Sequence, residues 1–373
     1  MLINGFLGPS DVQMALALDP SQSINLFAIV KQAGTPKKVI GMPPRPVLRP
    51  RYKAPSGPVR GSFTINGRAW AVCGGDLVEL RANGDLIVRG NVAVDSFPAT
   101  FASNGLGGEQ LMITSGGLGY IFSTETNLLT QIVDASFPTY VRRCEFLASK
   151  FIVQNPSRNE FFYSQEYDGL DWNALDFIEP SLTADIKVSM FADHGNLWLH
   201  GQQRTEIWQP QDNLNTPFAP IPSAIIEQGT TAGFSVTRLD NTIFWCQGDE
   251  RGNRMIVRAD AYSPKRVSTN ALEFYLNQQS QHAIENSIGY AFQKEGHAFY
   301  ALYIPGAPFT PVYDASTDMW FDWAHWDSVN LVWRQFRARN HIFFSGRNLL
   351  GSPTDGVIYE LTFDYEADAR VVS

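Results

Sequence analysis

From about residue 58 onward one pattern recurs: an apolar stretch, a turn of Gly, Asn or other polar residues, then a second apolar stretch. It reads AVCGGDLVEL from Ala71, ITSGGLGYIF from Ile113, IVQNPSRNEFFY from Ile152 and LWLHGQQRTEIW from Leu197. It continues as IFWCQGDERGNRMIV from Ile243, FYALYIPGAPFTPVY from Phe299 and IFFSGRNLLGSPTDGVIYEL from Ile342. Successive starts differ by 42, 39, 45, 46, 56 and 43 residues. A period of roughly 40 to 50 residues is that of a four-stranded propeller blade. The pattern therefore predicts an all-β chain, a β-propeller over residues 58–366, with seven blades favoured and six if the first or last hairpin lies outside. A long sandwich is the competing arrangement, but radial closure protects sheet edges and suits a near-constant period. The pairs Gly74–Gly75 and Gly116–Gly117 fall at the first two turns, where tight hairpins need positive φ. The 56-residue interval contains STNALEFYLNQQ, in which Asn270 is expected to cap a short inserted helix.

Ahead of this body the material changes. Residues 35–58, TPKKVIGMPPRPVLRPRYKAPSGP, carry seven prolines, which exclude a helix interior or a central strand and favour extended chain. Residues 1–57 are accordingly expected to form an N-terminal arm, and residues 367–373 a C-terminal tail. Charge divides the same way. Residues 1–68 hold nine Lys or Arg against Asp11 and Asp19, whereas the remainder holds 20 basic and 35 acidic residues, so that +7 and −15 sum to the overall −8. Such a separation concerns association and not fold. The arm is either a solvated linker or a strap across a neighbouring subunit, with Lys37, Lys38, Arg45, Arg49, Arg51 and Lys53 as the expected partner-contact residues.

Composition supports the β reading, with 25 Phe, 13 Tyr and 9 Trp beside 30 Gly and 22 Pro. No apolar run approaches the roughly 18 residues of a membrane span. The opening interrupts its apolar residues at Gly5, Gly8, Pro9 and Asp11 before a signal-peptide core could form, so a soluble chain made in the cytoplasm is expected. Cys73, Cys144 and Cys246, an odd number inside apolar runs, read as buried thiols.

Catalytic patterns do not emerge. The six histidines form no metal-ligand spacing, and no metal or cofactor is expected. The segment NGLGGEQ, with Gly105, Gly107 and Gly108, lacks the Lys-Ser or Lys-Thr ending of a phosphate loop and reads as a turn. No Ser or Cys sits in a nucleophile elbow. YDGLDW, containing Asp168 and Trp172, departs from the spacing of a sialidase Asp-box and occurs once. His297 reads as a packing or strand-register residue, and Trp198, Trp208, Phe244 and Trp245 as blade core. The acidic body argues against sequence-specific nucleic-acid binding.

Several stretches resemble a family: GNLWLHGQQRTEIW (195–208), IEQGTTAGFSV (226–236), VSTNALE (267–273), AFQKEGHAFYALYIP (291–305), VYDASTDMW (312–320), and Trp333-Arg334 followed by DGVIYEL. SINLFAIV (23–30) and AVCGGDLVEL add shorter matches. In order and spacing these are similar to the packaged-DNA stabilisation, or tail hub and nozzle, proteins of short-tailed phages. The chain departs from that family around Arg45 to Arg51, where members carry Thr-Pro-Gly-Leu, and at Thr310-Pro311. It also stops at EADARVVS where members continue, so a C-terminal assembly region is expected to be missing.

The resemblance implies a non-enzymatic virion protein of the tail, assembled in the host cytoplasm. It implies a homo-oligomeric ring, a hexamer being favoured, below the portal and adaptor. The ring would close the exit channel, retain packaged DNA and carry fibres or spikes, with duplex DNA passing without sequence-specific binding. The body's acidity suits such a wall, since a basic one would hold the duplex. The alternative is a propeller-type glycan-active enzyme or glycan-binding module of a phage tail, which would need carboxylates converging on the axial face.

Overall fold

A computed structural model describes residues 23–31, 38–105, 107–180, 182, 185–213, 216–248 and 253–365. The predicted C-terminal tail and much of the N-terminal arm, Lys37 included, lie outside the described residues.

Seven antiparallel sheets follow one another as blades. Blades 1 to 5 each hold four strands in sequence order, spanning 59–91, 100–131, 144–178, 187–220 and 237–266. Blade 6 spans 288–335 and has a fifth strand, Val332–Gln335, outside the fourth, Met319–Asp327. Blade 7 takes three strands from residues 340–362 and its outermost strand, Val47–Lys53, from the N-terminal region. The chain is thus a seven-bladed β-propeller whose ring is closed by strands from both ends of the described sequence.

The repeats in the sequence are the second and third strands of each blade, the most buried pair. The last hairpin is displaced by one strand: Ile342 lies in the innermost strand Asn340–Phe344, and the counterpart of Ala71 is Leu349. Between blades, side chains from facing sheets form seven successive apolar layers. Trp70, Leu77, Leu111 and Phe122 join blades 1 and 2, for example, and Tyr52, Ala71, Val78 and Ile358 join blades 7 and 1. The three cysteines are buried and unbridged, and Trp198, Trp208, Phe244 and Trp245 are core, as the sequence predicts.

Gly116 and Gly117 both have positive φ at the turn between Ser115 and Leu118, whereas in the equivalent turn of blade 1 only Gly74 does. The long interval is explained by a helix, Asn270–Gln278, which sends Leu272 and Leu276 into the layer between blades 5 and 6. Its cap is Thr269 and not Asn270: Thr269 Oγ1 accepts the Leu272 N–H at 3.3 Å.

The boundary at residue 57 also needs correction. Val47, Leu48, Tyr52 and Ala54 are buried, and Val47–Lys53 pairs along its length with Val357–Thr362. Proline misled the reading because it excludes a central strand but not an outer edge, where its missing N–H faces away from the ladder. The register shifts between Pro50 and Tyr52. The propeller therefore begins at Val47.

Candidate functional site

Each innermost strand begins at the same end of the propeller, and the loops entering these strands form the mouth of the central channel. Three of those loops deliver arginine just before or within the first turn of the strand: Arg60 in PVRGSF, Arg142 and Arg143 in YVRRCEF, and Arg339 in RARNHIFF. Arg60, Arg143 and Arg339 are buried. Arg60 donates to the carbonyls of Phe97, Gly74 and Ala93 at 3.0, 3.2 and 3.1 Å and to Ser115 Oγ at 2.7 Å, and it pairs with Asp95. Arg143 donates to Ser189 Oγ at 2.6 Å and to the Gly233 carbonyl at 2.7 Å, tying blade 3 to blade 4 and to the loop before blade 5. Arg339 donates to the Val59 carbonyl at 2.8 Å, across the seam between blades 7 and 1.

Burial pulls all three guanidinium pKa values down, that of Arg339 to about 10. Carbonyl and hydroxyl acceptors offset part of the desolvation cost. These arginines act as staples between blades.

The mouth itself is bridged. Phe97, in the loop before blade 2, stacks on Phe234, in the loop before blade 5, with ring centroids 6.2 Å apart. Those blades lie on opposite sides of a seven-membered ring, so the contact crosses the axis. The Arg142 guanidinium lies 3.9 Å from the Phe97 ring centroid, a cation–π contact that fixes the pair. A gap bridged by two touching rings admits no duplex.

Below the mouth, Glu145 sits on the innermost strand of blade 3. Burial pushes its carboxyl up to about 7, while Arg143 and a hydrogen bond from the Ala192 backbone pull the other way. His200 and His341 are held neutral by burial, at about 3 and about 4. At the opposite end, His297 Nδ1 meets Asp314 Oδ2 at 2.7 Å and its ring packs between Phe27 and Phe299. It joins two strands of blade 6 to the N-terminal segment, a register and packing position.

Of the six basic residues expected to contact a partner, Lys37 lies outside the described residues and the other five have separate surroundings. Lys38 opens a short strand, Lys38–Gly41, paired with Ile29–Lys31. Arg45 donates to Asn25 Oδ1 at 2.7 Å and to the carbonyls of Pro46 and Ala324 at 2.8 and 3.1 Å, and it lies 4.6 Å from the Phe336 ring. Arg51 pairs with Glu360 at 3.6 Å. Arg49 lies 3.9 Å from Asp364 and Lys53 3.6 Å from Asp355, with their side chains mostly exposed. The staples and the aromatic bridge escaped the sequence reading. Their signal, an arginine ahead of an innermost strand, becomes visible only once those strands are placed.

Fold and site together define a closed propeller whose mouth is bridged by aromatic side chains and whose buried arginines join neighbouring blades. Residues 20–366 match the family model described as Bacteriophage P22 Gp10, beta-propeller, and the chain belongs to that family of phage tail structural proteins. No curated protein matches it.

Among solved structures it is similar to the extracellular domain of BT4673 from B. thetaiotaomicron, at 11% identity and a TM-score of 0.55, covering 84% of this chain and 39% of that one. It is also similar to virginiamycin B lyase from Staphylococcus aureus, at 10% identity and 0.52, covering 83% and 95%. A streptogramin B lyase gives 9% and 0.51, covering 85% and 97%. The chain thus spans about two fifths of the BT4673 domain. At these identities the likeness concerns the propeller fold alone. Among the described residues no helix is long and apolar enough to cross a membrane.

Proposed function

We propose that this protein is a wall unit of a homo-oligomeric ring in the tail, below the portal and adaptor, which closes the exit channel and retains packaged DNA until ejection. The observation that carries the reading is the family match over residues 20–366. The sealed axial mouth supports it: a duplex would have to run along the axis of the ring of subunits, outside each propeller. The acidic balance beyond residue 68 suits a wall that a duplex passes without adhering. Arg49 and Lys53, exposed on the outermost strand of blade 7, are the members of the basic set best placed to reach acidic surface on the adaptor. Fibres or spikes would attach to the remaining outer surface.

The test is to produce particles without this protein and measure DNase-protected DNA. Heads should fill and then lose their DNA, and supplying the protein should restore retention. Particles that keep their DNA without it would refute the proposal.

A further inference from the structure

The described surface carries two concentrated apolar edges, about three blades apart. The first is the hairpin added outside blade 6. Trp326 and Trp333 face each other across its strands with ring centroids 5.3 Å apart, and Val329, Leu331 and Val332 crown its tip. Val329 is 88% exposed and Leu331 69%. Scattered surface apolar residues are ordinary, but a contiguous group on a free edge strand marks an interaction surface. Arg334 is paired with Asp327 within the hairpin at 3.3 Å, so the surplus charge beside it is the single positive one of exposed Arg337. The hairpin also flanks a groove of about 560 Å³, bounded by Arg45, Leu48 and Phe336.

The second edge is the outermost strand of blade 3, Asp168–Ile178, where Leu170, Leu175 and Phe177 are exposed, Leu175 at 80%. Its neighbours are acidic. Residues 166–179 contain Glu166, Asp168, Asp171, Asp176 and Glu179 and no Lys or Arg.

We infer that these two edges are the two halves of one head-to-tail contact: the blade 6 hairpin of one subunit docks on the blade 3 edge of a second copy. Apolar surface meets apolar surface, and Arg337 beside the hairpin meets the acidic margin of the blade 3 edge. Two different patches on well-separated sides of one subunit generate a ring or a filament, whereas a single self-complementary patch would stop at a dimer. The inference deepens the ring reading above and rests on it for biological context.

Two variants of the full chain test it, Trp326→Ser/Trp333→Ser on the hairpin and Leu170→Arg/Leu175→Arg on the blade 3 edge. Both replace exposed side chains and should melt like the wild type. In sedimentation velocity the wild type should self-associate as concentration rises, and each variant alone should do so more than tenfold more weakly. Mixed together, the two variants should form a one-to-one heterodimer and nothing larger, because each retains one intact half. A wild type that stays monomeric at every concentration, a blade 3 variant that still dimerises alone, or a mixture that does not pair would each overturn the inference. Loss of the variants from particles reports on the ring separately. A chain that enters tails normally with both edges altered refutes this contact and leaves the tail reading standing.

Discussion

Removing residues 1–53 tests how the ring is closed. The deletion takes away the outermost strand of blade 7, including Val47, Leu48 and Tyr52, whose relative exposures are 6%, 8% and 4%. Full burial of side chains of this size contributes roughly 1.5–3 kcal/mol each, so the three together supply about 5–9 kcal/mol. Folded domains are stable by only about 5–15 kcal/mol. The deletion also strips the ladder partner from Val357–Thr362 and leaves that strand as an open apolar edge. The truncated chain should therefore be insoluble, or melt without cooperativity in circular dichroism and bind a hydrophobic dye. Tyr52→Phe is the graded version: it loses only the hydrogen bond from Tyr52 Oη to the Arg81 carbonyl, 2.8 Å, and should cost about 1 kcal/mol in urea denaturation. A truncated protein that melts as cooperatively as the full chain, at the same temperature, would show that residues 47–53 are a dispensable arm and that blade 7 closes without them.

Three further outcomes are expected. Gly289→Val should unfold the protein or cost several kcal/mol, because a Cβ at that position would come within 2.2 Å of the Ser235 carbonyl oxygen; a near-normal melt would contradict the packing of that loop against blade 6. Buried neutral His200 and His341 bind protons more readily unfolded than folded, so their contribution to stability is present above about pH 6.5 and is lost as the pH falls toward 4. The urea midpoint of His341→Gln should therefore fall less steeply than that of the wild type over this range, and parallel curves would exclude the mechanism. Glu145 has the opposite sign: its raised folded pKa means that stability drops as the pH climbs from about 4.5 to about 7, so Glu145→Gln should be relatively more stable at pH 8 than at pH 4, and a pH-independent difference would refute it.

What could be read in advance followed from periodicity. In blades 1 to 6 the second and third strands are the most buried, so AVCGGDLVEL and its counterparts stood out there, whereas in blade 7 the innermost strand Asn340–Phe344 carried the signal instead. Val47–Lys53 was missed because Pro50 suppresses the strand signal and because pairing with residues 357–362 lies some 300 positions away, beyond any local pattern. The same holds for Phe97 and Phe234, 137 residues apart in sequence and in contact only because the ring closes. Charge counting found the basic N-terminal region, but not that Arg45 is engaged by Asn25, Pro46 and Ala324 of its own chain. A guanidinium reads alike in sequence whether it meets a partner protein or its own backbone.

The arrangement of the subunits can be seen in a reconstruction of the intact tail at a resolution that separates the blades. Seven-bladed propellers should surround the tail axis, each with its own mouth filled at Phe97 and Phe234, and DNA density should run between subunits along the axis of the ring. Duplex density threading the centre of a single propeller, or tails that hold DNA with no propeller in their wall, would contradict it.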